Sequence, residues 1–310
     1  MSSKRQLKLQ GQTSKTYRQK LTLRCRYAFY LLNILSYVCV LAFNKLALEE
    51  VDLISHNVIV ISSSALICIV YLVFNGKSVC HEVFSASTKV KWLFFLYAPV
   101  ATIFPIYCLA YSQQRIPLGV LSFLSVGYFA FTHIWSHLLG VNTLYRHEVL
   151  KIACVFAAAA MFFRISFKPE IDFLLGLLSA LMFAILVGLS HALAGVIRKE
   201  SPLVTGSTIA VLRLFPAGIY TVISAIILGI ATQYSAYSAA AGVALGIFSF
   251  SLYISVALNG ANETSTTLAA YPIPTFIIAV IFFNNTWSTG QIAAGGLMLL
   301  SILLLQLTQE

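Results

Sequence analysis

Long apolar runs recur along the whole of this chain, and they limit what it can fold into more than any single motif does. They extend over 27–47, 53–74, 91–111, 117–139, 149–167, 173–197, 203–230, 236–258, 264–284 and 289–307. A helix needs roughly 20 residues to cross about 30 Å of hydrocarbon, and these runs have about that length. They are continuously apolar, whereas the strands of a membrane barrel alternate over about ten residues. The sequence therefore predicts an all-α integral membrane protein with ten transmembrane helices. Composition points the same way, since of 310 residues 59% are hydrophobic and only 10% charged, too apolar for a soluble domain.

The formal net charge of +10 would suit nucleic acid on a soluble surface, but here the basic residues sit in short loops, where they report topology. Residues 1–26 form a basic tail carrying Lys4, Arg5, Lys8, Lys15, Arg18, Lys20, Arg24 and Arg26. With that tail cytoplasmic, Lys77, Lys89, Lys91, Arg146, Lys151, Arg198 and Lys199 fall on the same side. Lys45, Arg115, Arg164 and Lys168 fall on the other, together with Glu49, Glu50 and Asp52. Both termini are predicted cytoplasmic, and no nucleic-acid partner is expected. A transit or signal peptide would also be basic, but the run that follows is full length and no small-x-small cleavage site closes it. The cysteines, Cys25, Cys39, Cys68, Cys80, Cys108 and Cys154, are irregularly spaced and form no C-x-x-C pair. They read as packing residues rather than zinc ligands or a disulfide framework.

The chain looks duplicated. Residues 109–126, "LAYSQQRIPLGVLSFLSV", lie over 256–273, "VALNGANETSTTLAAYPI", each with an alanine near the end of a run, a polar patch and then a second run. Further on, "NTLYRHE" (142–148) matches "NTWSTGQ" (285–291), each leading into the last run of a half. This divides the chain after its tail into repeats over 27–167 and 171–307. Five spans is an odd number, so the second repeat enters the membrane from the side opposite to the first. Such inverted repeats are typical of secondary transporters, whose site lies near the midplane where the halves meet.

Several segments resemble the drug/metabolite transporter superfamily and, within it, the EamA-like ten-helix carriers. They are "AFNKLAL" ending the first run, "VIRKESP" after the sixth, "AVLRLFPAG" in the seventh and "TTLAAYPIPTFIIAVIFFNNTWSTGQIAAGGLMLLSILLL" across the last two. The resemblance implies a metabolite carrier in a bacterial cell inner membrane, without cofactor and either monomeric or homodimeric. Its substrates would include amino acids, nucleosides and S-adenosylmethionine, the last exchanged for S-adenosylhomocysteine. There are departures. Members usually carry a glutamate just before the last helix of each half, where this chain has "GVNTLYRHE" and "FNNTWSTGQ", with Asn142 and Asn285 near that place. The membrane-embedded glutamate of the small proton-coupled multidrug exporters is missing too, since the first run offers only Asn33 and Asn44.

Arg213 is the one charge well inside a run, and intramembrane ionisable groups are functional candidates by default. It reads either as a counter-charge for a carboxylate or phosphate, or as a group that fixes carbonyls freed by Pro216. In the fourth run, Tyr128, Phe131 and Trp135 share one face, and His133 and His137 another. The aromatic strip is either packing or a stacking surface for a flat ring. The histidine pair lacks a third ligand, and neither His56 nor His191 can be placed beside it, so no metal is expected. Prolines within runs free backbone carbonyls where they face protein or a watery cavity. Pro105, Pro216, Pro272 and Pro274 are thus candidate breaks and gates, with Pro99 preceding them. Tyr271, beside two of these prolines, can face the cavity, and Asn33 and Asn259 complete the candidate substrate contacts. Asn262 is placed to cap the ninth helix, with Glu263 in its first turn.

Together these features predict a transporter that alternates access for a small-molecule substrate. The best candidates are S-adenosylmethionine with S-adenosylhomocysteine, or amino acids; a nucleoside or nucleotide sugar is the alternative. "ALNGANE" resembles a nucleotide-sugar carrier signature but lacks its lysine. A membrane enzyme would need paired carboxylates or a nucleophile with its base, and no Asp-x-x-Asp occurs. A non-transporting scaffold would be supported by a large cytoplasmic domain or tail motif, and the chain offers only its basic tail.

Overall fold

The computed structural model describes residues 27–166, 170–284 and 288–307. The basic tail 1–26, Lys168 and the turn at Asn285 lie outside the described residues. The described chain is helical: α1 (Tyr27–Ala47), α2 (Leu53–Ser85), α3 (Thr88–Ala98), a π-helical turn (Pro99–Ile103), α4 (Phe104–Arg115), α5 (Leu118–Ser125), α6 (Tyr128–Leu138), α7 (Arg146–Ser166), α8 (Ile171–Glu200), α9 (Gly206–Ile227), α10 (Ala236–Asn259), α11 (Ala261–Leu268), α12 (Pro272–Phe283) and α13 (Thr289–Leu307). Among the described residues, eight segments are long and apolar enough to cross a membrane. They are α1, α2, α3 to α4, α5 to α6, α8, α9, α10 and α11 to α12. The helices α7 and α13 pack against each other at the side of this group. Large apolar side chains such as Phe74, Ile226 and Phe282 are exposed on its outer surface, as expected where hydrocarbon is the solvent.

Helix starts follow the capping residues in the sequence. Asp52 accepts from the amides of Ile54 and Ser55 to begin α2, and Ser87, Thr205 and Ser235 cap α3, α9 and α10. Hydrogen bonds from Ser55 hold the Asp52 carboxyl below the usual carboxylate range. Glu82 accepts from both the amide and the hydroxyl of Thr205, at 2.8 and 2.9 Å, and so ties α2 to the start of α9. This contact bears on a difference from the sequence reading, which ends the second span at 74. The helix instead runs on to Ser85, its 33 residues spanning about 50 Å at 1.5 Å per residue. Asn75 and Gly76 do not stop it, because Val79 joins Cys68, Val211 and Leu214 in a buried cluster.

Polar contacts sort the helix ends into two groups. At one end, Lys45 donates to the Gln113 carbonyl, Arg115 lies 3.9 Å from Asp172, and Ser235 donates to Glu50. At the other, Lys89 pairs with Glu200 at 2.8 Å, Lys199 donates to Gly140, Arg198 to Val204 and Ala257, and Tyr30 to Glu263. The start of α1, next to the tail, therefore shares an end with Lys89, Arg198 and Lys199.

Three of the crossing segments are interrupted. The chain passes through a π turn at Pro99–Ile103, through a non-helical turn at 126–127, and through another at 269–271. The middle one is not expected from sequence, because no proline marks it. The half-helices pack crosswise, α5 against α12 and α6 against α11. Asn262 does not cap α11, contrary to expectation. Gly260, at φ +89°, opens the helix directly before Ala261, so Asn262 lies within the first turn and its side-chain oxygen has no hydrogen-bond partner. Glu263 does fall in that first turn.

The crossing of α2 with α10 depends on Gly242, where a Cβ would come within 2.4 Å of the Val60 carbonyl oxygen and 2.6 Å of Ser63 Cβ. Gly242→Ala should destabilise the protein by about 1–3 kcal/mol, the usual effect of overpacking. Gly76→Ala, where a Cβ meets nothing within 4 Å, should leave stability unchanged or raise it. Melting of the two variants in detergent, compared with wild type, checks both.

Candidate functional site

Two of the breaks, the start of α4 just beyond the π turn, and the middle of α9 meet around one internal cavity. Pro216 lies inside α9 and has no N–H to complete the helix ladder. One turn earlier, Arg213 is 5% exposed. Thr102, in the π turn, holds it from two directions. Its hydroxyl accepts from Arg213 Nε at 3.0 Å and lies 3.3 Å from the Arg213 carbonyl oxygen, to which it donates. Ser249 of α10 accepts from Nη1 at 3.3 Å, and the Tyr253 ring centre lies 5.7 Å from the guanidinium carbon, within cation–π range. Among the described residues no carboxylate pairs with Arg213; the acids that make ion pairs do so elsewhere, with Lys89, Arg115 and His133. The guanidinium is thus held by neutral groups and keeps its charge uncompensated at the cavity wall.

A row of four rings crosses the cavity beside it. Tyr128 and Tyr271 stack at 6.4 Å between ring centres with 19° between planes. Tyr37 meets Tyr271 edge-on at 4.7 Å and 77°, and His191 meets Tyr128 edge-on at 5.5 Å and 78°. The two central phenols each reach across to the other broken segment. Tyr128 donates to the Ser265 carbonyl at 3.2 Å, and Tyr271 donates to the Ser122 carbonyl at 3.1 Å, with the Ser125 hydroxyl also in contact. Both breaks place a tyrosine at the start of a new half-helix, Tyr128 beginning α6 and Tyr271 just ahead of Pro272.

The cavity enclosed by these side chains measures about 40 Å³. That is room for a few water molecules, so a metabolite could enter only if the helices part. Aliphatic side chains, among them Val40, Val60, Leu109 and Leu245, make up much of the remaining wall. No carboxylate lines it among the described residues.

Of the residues singled out from sequence, Arg213, Tyr128, Tyr271 and Pro105 come together on this cavity. Pro216 lies on α9 one turn beyond Arg213, and Pro272 and Pro274 open α12. The rest of the aromatic strip goes elsewhere. Phe131 packs edge-on against Phe156 of α7, and Trp135 is partly buried with its Nε1 unpartnered. His133 places Nδ1 3.0 Å from the Phe129 carbonyl and Nε2 3.8 Å from Glu148. The strip from Tyr128 to Trp135 extends about 10 Å along its helix, and only its first residue reaches the cavity. Asn33 bridges α1 to Ser251 and Ser255 of α10, while Asn259 ends α10 with its amide buried and unpartnered. The sequence does not single out Tyr37, Asn44, Thr102, His191, Ser249 or Tyr253 as contacts. Their only signal was a polar group within an apolar run, which does not reveal the partner helix.

No family model matches this chain, and no curated protein matches it. Similar structures have been solved. One, described only as "Crystal structure of protein", superposes with a TM-score of 0.62 over 91% of this chain and 97% of its own length, at 13% sequence identity. Likeness at that identity extends to the fold and says nothing of the chemistry in the cavity.

Proposed function

We propose that the protein is a secondary transporter of a small organic anion, working by alternating access between two inverted five-helix repeats. The observation that carries this reading is Arg213, a buried cation on the wall of a central cavity with no carboxylate to pair with among the described residues. A guanidinium held only by hydroxyls and a ring is suited to meet an incoming carboxylate or phosphate, with charge-assisted hydrogen bonds. The stacked tyrosines favour a flat ring elsewhere in the same substrate.

The inverted repeat draws support from the reciprocity of the tyrosines. Tyr271 follows Tyr128 by the same number of residues as Ser265 follows Ser122, and each tyrosine bonds to the serine of the other segment. The same separation relates the starts of α5 and α11, and those of α7 and α13. In this reading α7 and α13 are the fifth and tenth spans. Val60 stands as far from the start of α2 as Arg213 from the start of α9, so one half supplies an apolar side chain where the other supplies the charge. In this reading the end that gathers Lys89, Arg198 and Lys199 is the cytoplasmic one, a choice supported by the bias of basic residues, and the N-terminal tail is inside. Membership of the drug/metabolite transporter superfamily and a bacterial inner membrane belong to the same reading.

Charge balance ranks the candidate substrates. S-adenosylmethionine carries a sulfonium and an ammonium against one carboxylate, and among the described residues no acid lines the cavity to receive them. Ring-bearing carboxylates and phosphate esters, nucleotides included, fit the single positive charge better than amino acids or S-adenosylmethionine do.

Reconstituted liposomes given radiolabelled aromatic carboxylates, amino acids, nucleosides, nucleotide sugars and S-adenosylmethionine should show saturable uptake of an anion, with or without counter-substrate inside. Absence of saturable uptake of every compound, under every gradient, would refute the carrier reading. Arg213→Gln should weaken the apparent affinity for that anion about tenfold to a hundredfold, the scale of a hydrogen-bonded charge pair; unchanged affinity would rule out the counter-charge role.

Inverted ten-span topology has its own test. On a cysteine-free background, Asn142→Cys and Ser288→Cys should react with a membrane-impermeant thiol reagent from opposite faces, Ser288→Cys from outside. Labelling of both from one face would refute the inversion.

A further inference from the structure

Two side chains on the central cavity carry polar atoms that the folded protein leaves without a hydrogen-bond partner. Asn44 of α1 is fully buried, and neither its amide nitrogen nor its oxygen has a hydrogen-bond partner. His191 of α8 is 1% exposed, and its Nδ1 is likewise unpartnered. Both line the same cavity as Arg213. Asn33 provides the contrast on α1: equally buried, it is taken up by Ser251 and Ser255 of α10 and holds two helices together. Asn44 has no such structural employment.

Buried polar groups left unpaired are costly and call for an explanation. Without a ligand, a space of this size has room for water to serve such groups. An occupant that displaces those waters must either replace their hydrogen bonds or leave the amide and the imidazole bare. We propose that Asn44 and His191 form a second, uncharged anchor, so that the site selects an organic anion bearing a separate hydroxyl, amide or ring nitrogen over one of similar size without it. This rests on the anion-carrier reading of Arg213 and sharpens its substrate class.

The chemistry of the pair suits that role. Asn44 offers two donors and an acceptor, and His191 Nδ1 donates or accepts according to its tautomer. Together they can serve a hydroxyl, which is donor and acceptor at once. The anchor also draws on both halves of the chain, with Asn44 before the midpoint and His191 after it, so a substrate bound to it bridges them. In the row of rings, Tyr37 and His191 occupy corresponding edge positions, at 77° and 78° to the central pair. The imidazole is the departure from an all-phenol row. A site built to hydrogen-bond a substrate group rejects the analogue lacking it far more strongly than an apolar wall distinguishes one methylene.

The test uses full-length protein in detergent and matched carboxylates: benzoate with 4-hydroxybenzoate and nicotinate, and 3-phenylpropionate with phenyllactate. Titration calorimetry should give wild type at least a tenfold preference for the polar member of one series. Asn44→Leu and His191→Phe should bind both members of that pair alike while still binding the plain acid. His191→Gln, which keeps a donor and an acceptor, should retain the preference. Arg213→Gln should weaken every member together. Equal affinity of wild type for polar and plain acids overturns the anchor while leaving the anion reading intact. Loss of both members in Asn44→Leu and His191→Phe, with unchanged melting temperature, also overturns it. Wild-type protein that binds none of the carboxylates overturns both.

Discussion

Inside hydrocarbon there is no water to satisfy a backbone N–H or carbonyl, so a span may leave the helix only where protein or a wet cavity takes over its hydrogen bonds. Each of the three breaks in this chain observes that condition. At 126–127 the hydroxyls of Ser122 and Ser125 bond back to the carbonyls of Gly119 and Leu121, and Tyr271 reaches in from the other broken segment. Near 269–271, Ser265 and Thr266 bond to the Asn262 carbonyl, and Tyr128 meets that of Ser265. The π turn keeps its own ladder, the Phe104 amide donating to the Pro99 carbonyl, and its Thr102 hydroxyl is free to serve the carbonyl of Arg213 on α9. The breaks at 126–127 and 269–271 therefore support each other, and the two tyrosines that do so line the cavity.

The same hydroxyls explain how Arg213 can sit there. A charged side chain at the centre of a span costs about 2.5–3.5 kcal/mol on insertion scales, and a hydrogen bond to a charged group returns about 1.5–3 kcal/mol. The two hydroxyl partners, Thr102 and Ser249, are thus enough to hold the guanidinium without an acid. They do not neutralise it. A glutamate in their place would make a neutralising internal pair, whereas hydroxyls retain the side chain and leave its charge unbalanced among the described residues.

Much of this frame is legible from hydropathy alone, because a span's length is set by the bilayer and its borders by a few capping side chains. Arg213, Tyr128 and Tyr271 stand out for the same reason, as polar or ring-bearing groups where lipid-facing positions would be aliphatic. What sequence does not carry is the choice of neighbour. The break before Tyr128 has no proline, since Ser125 and Ser122, three and six residues upstream, and Gly127 suffice once Tyr271 completes them. The run past 74 continues as helix because Val79 and Glu82 find partners on α9, from a distant part of the chain. Phe131 and Trp135 share the helical face of Tyr128 yet miss the cavity, because periodicity fixes direction around the axis but not position along it.

In the proposed carrier, the two-fold pairing of Tyr128 with Tyr271 would give the halves interchangeable packing, so that inward- and outward-open forms cost nearly the same. A substrate shifts such an equilibrium only through contacts that differ between the two forms. The frame alone would bind a ligand equally in both. The places where the halves differ, Arg213 against Val60 and His191 against Tyr37, are therefore where orientation and direction can be specified. A carrier of this build gains its mechanism from the symmetry of its backbone and its selectivity from the few side chains that violate it.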